Sequence, residues 1–247
     1  MADVNTRFSQ LVTFLETYRG RDKVIRLLNY AAYIASGLLQ RLRGKDNDFT
    51  TGRLAAELSN LRVMLRLIDD FSMLKYSLSY GIGKHEKDPV CRVLQVIQNF
   101  VDQLYYPVEH LAWARDVGLL KGSSNKLWSF GCLLWVISLT MGILSSIRKL
   151  VASKNMSEKD TKSTNKEETP VHSSKEYKEI ETRHIVGITK QNVSLIVGLC
   201  GNLFDLVNGV HWLPQGFLWS SKLPLEVVGL CGTISSLCLL FNAITAV

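Results

Sequence analysis

Apolar residues recur along the first eighty positions at steps of three and four, the period of a helix with one buried face. Phe8, Leu11, Val12 and Leu15 mark a first helical piece, and Val24, Leu28, Ala31, Ala35, Leu38 and Leu42 mark a second. Between them lies YRGRDK, from Tyr18 to Lys23, where Gly20 is the expected break. The glycines, asparagine and aspartates of GKDNDFTTG, Gly44 to Gly52, predict a loop. From Arg53 to Tyr80 the pattern predicts one helix with Leu54, Leu58, Leu61, Leu65 and Ile68 on a single stripe and Arg62, Arg66 and Asp69 on its flank. Such a stripe can pack on neighbouring helices. It can also sink beneath lipid headgroups while the arginines meet phosphates. Asp69 and Asp70 oppose adsorption to an anionic surface.

After GIGKHEKDP, Pro89 suits the first turn of a further helix. That helix runs into DQLYYPVEHLAWARD, Asp102 to Asp116, where Pro107 is expected to kink or end it. Leu127–Ile147 then carries no charge and is bracketed by Lys126 and by Arg148 and Lys149, with Trp128 near one end. It is long enough to cross a hydrocarbon core, and an indole favours the interface. Residues 152–184 change to lysine, glutamate, serine and threonine, which predicts a disordered linker. Residues 185–222 read as a semi-polar membrane-edge helix and loop. Within them 193–213 contains Asp205 and precedes Pro214, so at most a broken, re-entrant passage is expected there. A second uncharged span fills Val227–Val247. The predicted fold class is all-α: an integral membrane protein with cytosolic amphipathic helices in 1–122, transmembrane helices at 127–147 and 227–247, and a polar linker between them. Two short echoes, Asn99–Asp102 with Asn202–Asp205 and VGLCG at Val197 and Val228, suggest a repeated unit. Gly198, Gly201, Gly229 and Gly232 would let helices approach closely in lipid.

Composition sharpens this only modestly. The 247 residues are 47% hydrophobic with a net charge of +7. The positive excess is spread thinly, which suits an anionic lipid surface better than a nucleic-acid groove, and no nucleic-acid motif is present. The five cysteines form no CxxC pair and have no histidine at zinc-finger spacing, so they read as small apolar residues, with no metal or cofactor implied. MADVNTRFSQ is not a secretory signal, and the apolar C-terminal stretch reads as a retained anchor. The acids and His110 of DQLYYPVEHLAWARD could transfer protons, but no nucleophile, metal or orienting third group accompanies them, so an enzyme is not expected. Tyr105, Tyr106, Pro107 and Trp113 suit the membrane edge, as do Trp212 and Trp219 in NGVHWLPQGFLW.

YRGRDK, LRLIDDFSMLKYSLSYGIG from Leu65, DQLYYPVEHLAWARD, and NGVHWLPQGFLW followed by VGLCGTISS resemble the peroxin-11 family of peroxisomal membrane proteins, most of all its gamma type. The resemblance covers nearly the whole chain except 152–184. It implies a multi-pass protein of the peroxisomal membrane with both termini in the cytosol and the linker inside the organelle. It also implies membrane elongation and division, self-association and pairing with other family members. Fission adaptors and a dynamin-like GTPase are the further partners it implies. The family's membrane-remodelling helix matches Arg53–Tyr80 here, although Asp69 and Asp70 depart from a purely basic pattern. A small-solute channel is the alternative. A channel needs polar residues along its spans; Leu127–Ile147 offers only serine and threonine, and Val227–Val247 adds Asn242. Membrane shaping is the preferred reading.

Overall fold

The computed structural model describes residues 2–44, 49–164 and 175–245, and all regular structure among them is helical. In chain order the helices are α1 (Ala2–Glu16), α2 (Tyr18–Arg43), α3 (Phe49–Arg66), α4 (Asp69–Tyr80), α5 (Pro89–Asp116), α6 (Asn125–Thr164), α7 (Lys175–Trp212) and α8 (Leu225–Thr245).

The first break falls at Thr17 rather than Gly20. Thr17 is extended, and its hydroxyl accepts a hydrogen bond from the Gly20 N–H at 3.0 Å, capping α2. Gly20 is instead inside the first turn, where a Cβ would lie 2.0 Å from the Phe14 carbonyl oxygen. The expected helix Arg53–Tyr80 is two helices. The Leu67 N–H turns back to the Met64 carbonyl at 3.3 Å, and α4 starts afresh with Asp69 and Asp70 in its first turn, where carboxylates complement the helix dipole. The apolar pattern stays in phase across this break, which is why periodicity does not reveal it.

Pro107 neither ends nor divides α5, which is continuous to Asp116. Its ring sits on an exposed side of the helix. At the other end Asp88 caps α5 by accepting from the Val90 and Cys91 N–H groups at 2.9 and 3.4 Å, ahead of Pro89. The expected linker 152–184 is helical at both margins, through Thr164 and from Lys175; residues 165–174 lie outside the described residues. Extending a formed helix requires no new nucleus, and lysine, glutamate and alanine extend it readily.

Among the described residues three helices, not two, are long and apolar enough to cross a membrane: Asn125–Asn155, Gln191–Trp212 and Leu225–Thr245. The broken passage expected at 193–213 is continuous helix. Asp205 forces no break because its charge is met by Arg26 of α2, and Pro214 falls beyond the last turn.

The long helices pack side by side in the order α3, α2, α8, α7, α6, α5, with α4 beside α5. α5 runs antiparallel to α6: Arg148 Nε donates to Asp88 at 2.7 Å, Gln98 reaches Ser138 at 3.4 Å, and the Trp128 indole N–H donates to Asp116 at 2.7 Å. Val101, Val108 and Leu134 form the core of that seam. The α2–α8 contact is closer still, because a Cβ at Gly232 would lie 2.1 Å from the Tyr30 ring and one at Gly229 2.6 Å from the Ile34 nitrogen.

Candidate functional site

Two features stand out: charges paired across helices inside the bundle, and apolar side chains directed outward from α3 and α4. Arg26 donates to Asp205 at 2.5 Å and to Ser235 and Ser236 at 2.9 and 3.2 Å, so one guanidinium joins α2, α7 and α8. Arg66 on α3 engages Glu109 on α5 through Nε, at 3.0 Å to Oε2, and through Nη2; the Tyr105 hydroxyl donates to the same carboxylate at 2.8 Å. Arg62 donates to Asp22 at 3.1 Å. Burying a charge is costly unless it is paired and hydrogen-bonded, and these contacts meet that condition. Arg26, Arg62, Arg66, Tyr105, Glu109 and Trp135 help to line a cavity of 640 Å³ between α2, α3, α5 and α6.

Tyr18 ties the start of α2 to the α3–α4 corner, donating to the Leu65 carbonyl and lying 3.4 Å from Asp69 Oδ2. Burial, reinforced by the Asp69 charge, pushes its pKa up to about 12, so it remains a donor at neutral pH. Burial likewise raises the Asp69 carboxyl, against the lowering effect of the Tyr18 hydrogen bond.

Of the stripe read from sequence, Leu54, Leu61 and Ile68 are exposed while Leu58 and Leu65 are half-buried. Arg62 and Arg66 do not reach outward to headgroups. They turn into the bundle, because Asp22 and Glu109 face them from α2 and α5. The outward surface continues instead into α4, with Phe71 76% and Leu78 74% exposed and Leu74 between them. Their i, i+3, i+7 spacing was present in the sequence beside the stripe. Glu57 and Asn60 on α3 and Lys75 on α4 are exposed among these apolar side chains.

The aromatic residues assigned to the membrane edge separate into groups. Tyr105 and Tyr106 are half-buried and meet edge to face at 5.9 Å, Pro107 is exposed, and Trp113 is half-buried. Trp212 stacks against Tyr30 at 6.4 Å and Trp135 at 5.8 Å, and the Trp219 indole donates to the Val207 carbonyl at 2.9 Å. The paired roles of Arg26 with Asp205 and of Arg66 with Glu109 escaped the sequence reading. Asp205 was the available signal, as a lone carboxylate within a membrane-length apolar helix.

The sequence profile of peroxisomal biogenesis factor 11 matches residues 8–243. The chain belongs to that family. Its members are peroxisomal membrane proteins that act in peroxisome proliferation and division, and this all-α membrane protein is one of them. It is 37% identical over 240 residues to peroxisomal membrane protein 11C of Homo sapiens, covering 96% of this chain and 95% of that protein. The mouse protein of the same name is 36% identical over 242 residues. Peroxisomal membrane protein PMP27 of Saccharomyces cerevisiae is 28% identical over 153 residues, 60% of each chain. No solved structure matches this chain.

Proposed function

We propose that this protein elongates the peroxisomal membrane ahead of division by pressing the outward side chains of α3 and α4 into the bilayer. The carrying observation is the run Leu54, Leu61, Ile68, Phe71, Leu74 and Leu78, exposed while Arg62 and Arg66 are engaged inside the bundle. Glu57, Asn60 and Lys75 on the same surface hold it at the interface rather than deep in hydrocarbon. A wedge at that depth expands one leaflet, and the membrane-crossing helices fix the wedge in place. Each apolar side chain withdrawn from water contributes roughly 1.5–3 kcal/mol. Insertion is therefore driven by burial, with a smaller electrostatic share than arginines at the headgroups would provide. Self-association, pairing with other family members, and recruitment of fission adaptors and a dynamin-like GTPase complete the proposed scaffold role.

The test uses the full chain reconstituted into anionic vesicles and imaged by electron microscopy. Wild type is expected to draw tubules, and Ile68→Ser combined with Phe71→Ser and Leu78→Ser to leave vesicles round while remaining helical and inserted. Unchanged tubulation by that variant would refute the wedge.

The cavity favours a second reading, solute passage, because its arginines and tyrosines supply the polar lining that the spans lack. Dye or metabolite flux through the same proteoliposomes, blocked by filling the cavity with Ser138→Trp, would support it.

A further inference from the structure

α5 is too polar overall to qualify as a membrane span by composition, yet between Arg92 and Asp116 none of its polar residues is exposed. Between Arg92 and Asp116 the exposed positions are Val93, Ile97, Phe100, Leu104, Pro107 and Leu111, and every one is apolar. They repeat at steps of four and three, a single stripe along the helix. Gln98 faces Ser138, Asp102 faces the cavity, and Glu109 is closed off by Arg66 and Tyr105. This inverts the amphipathic helix of a water-soluble protein, with its polar side inward and its apolar side outward.

The neighbour of α5 supplies the second observation. α6 carries the uncharged run Leu127–Ile147, and α5 follows it at every level, from Asp88 beside Arg148, through Cys91 at Ser145 and Gln98 at Ser138, to Asp116 beside Trp128. A helix packed along the full length of a membrane-crossing helix occupies the same depth. From Val93 to Leu111 the stripe extends roughly 27 Å at 1.5 Å per residue, close to the ~30 Å of a hydrocarbon core. α3 and α4 differ in this respect, since their exposed faces include Glu57, Asn60 and Lys75.

We propose that α5 crosses the bilayer beside α6 as the first arm of a transmembrane hairpin, presenting Val93, Ile97, Phe100, Leu104 and Leu111 to lipid acyl chains. The turn at 117–124 then lies on one side of the membrane, and residues 81–88 lie on the other with the end of α6. The part of α6 beyond Arg148 therefore shares a side with residues 81–88, contrary to the two-span arrangement expected from hydropathy. Pro107 falls on the lipid-facing stripe, and proline is commoner in membrane helices than in soluble ones. The proposal does not depend on the wedge reading, since α5 can cross whether or not α3 and α4 deform the membrane.

Lys84 and Lys121 are exposed on the two sides in question. Full-length Lys84→Cys and Lys121→Cys would each be treated with a membrane-impermeant maleimide on sealed peroxisomes, with wild-type labelling of the five native cysteines subtracted. One variant is expected to label at least tenfold more strongly than the other before detergent, and both equally after it. Equal labelling of the two before detergent would overturn the hairpin. A nitroxide at Phe100→Cys gives an independent measure. Its collision rate with a water-soluble nickel complex should be at least tenfold below that of a nitroxide at Lys121→Cys, with oxygen collisions higher. Equal nickel access at the two positions would also overturn it.

Discussion

Glu109→Gln exchanges an oxygen for a nitrogen at a side chain that is 1% exposed. In the native bundle its carboxylate accepts from Arg66 Nε at 3.2 and 3.0 Å, from Arg66 Nη2, and from the Tyr105 hydroxyl at 2.8 Å. Glutamine retains a single oxygen acceptor and turns N–H donors towards a guanidinium that can only donate. Hydrogen bonds to charged groups contribute about 1.5–3 kcal/mol each. Removing one partner of a buried ion pair costs about 3–5 kcal/mol, because the other charge is left stranded. Glu109→Gln should therefore lose about 3–4 kcal/mol. Arg66→Met should lose a similar amount, and the double variant Arg66→Met with Glu109→Gln much less than the sum, with a coupling of about 2–3 kcal/mol. The assay is reversible unfolding of the full chain in mixed micelles as sodium dodecyl sulfate is raised, followed by circular dichroism. The more open Asp22–Arg62 pair, with side chains 26% and 17% exposed, is the internal comparison. Asp22→Asn should lose less, about 1–2 kcal/mol, because Asp22 itself keeps contact with water although Arg62 is largely buried. Strictly additive losses for Arg66 and Glu109, or a Glu109→Gln loss no larger than that of Asp22→Asn, would refute the reasoning.

Gly229→Ala places a methyl group 2.6 Å from the Ile34 nitrogen and should separate α2 from α8 at about 1–3 kcal/mol. Gly198→Ala, whose Cβ would meet Asn242 at an ordinary 3.4 Å, should be close to neutral by the same detergent-unfolding assay. The hydrogen bond from Arg148 and those from the Val90 and Cys91 N–H groups hold the Asp88 carboxyl below its ordinary pKa of 3.8. Its contribution is thus fully present above that value and is lost as pH falls through the lower folded value. Asp88→Asn should remove that contribution at neutral pH and flatten the acid limb of the stability profile below pH 3.8, so that variant and native protein converge in acid.

The repeating apolar steps made α2 legible as a helix, and the uncharged runs did the same for the membrane portions of α6 and α8. α7 was read as broken because Asp205 looks like an interruption, and the arginine that neutralises it lies 179 residues away. Local pattern cannot report so distant a partner. The corner between α3 and α4 stayed hidden for the opposite reason, since Leu61, Ile68 and Phe71 keep the spacing of one uninterrupted helix. Arg62 and Arg66 were correctly placed on a flank, but a flank has no direction until a neighbour exists. Asp22 and Glu109 decided that it faced inward. The same logic concealed the apolar side of α5, whose average polarity comes from residues turned towards α6 and the cavity.

The glycines that bring α2 against α8 also impose an order in time. Tyr30 and Ile34 leave the ribosome early, but the groove formed by Gly229 and Gly232 emerges roughly two hundred residues later. Contacts so distant along the chain close slowly. Until α7 and α8 are in place, Arg26 lacks Asp205, Ser235 and Ser236, and one side of α2 lacks its partner. An emerging chain thus leaves one side of a basic helix uncovered until the C-terminal pair is complete.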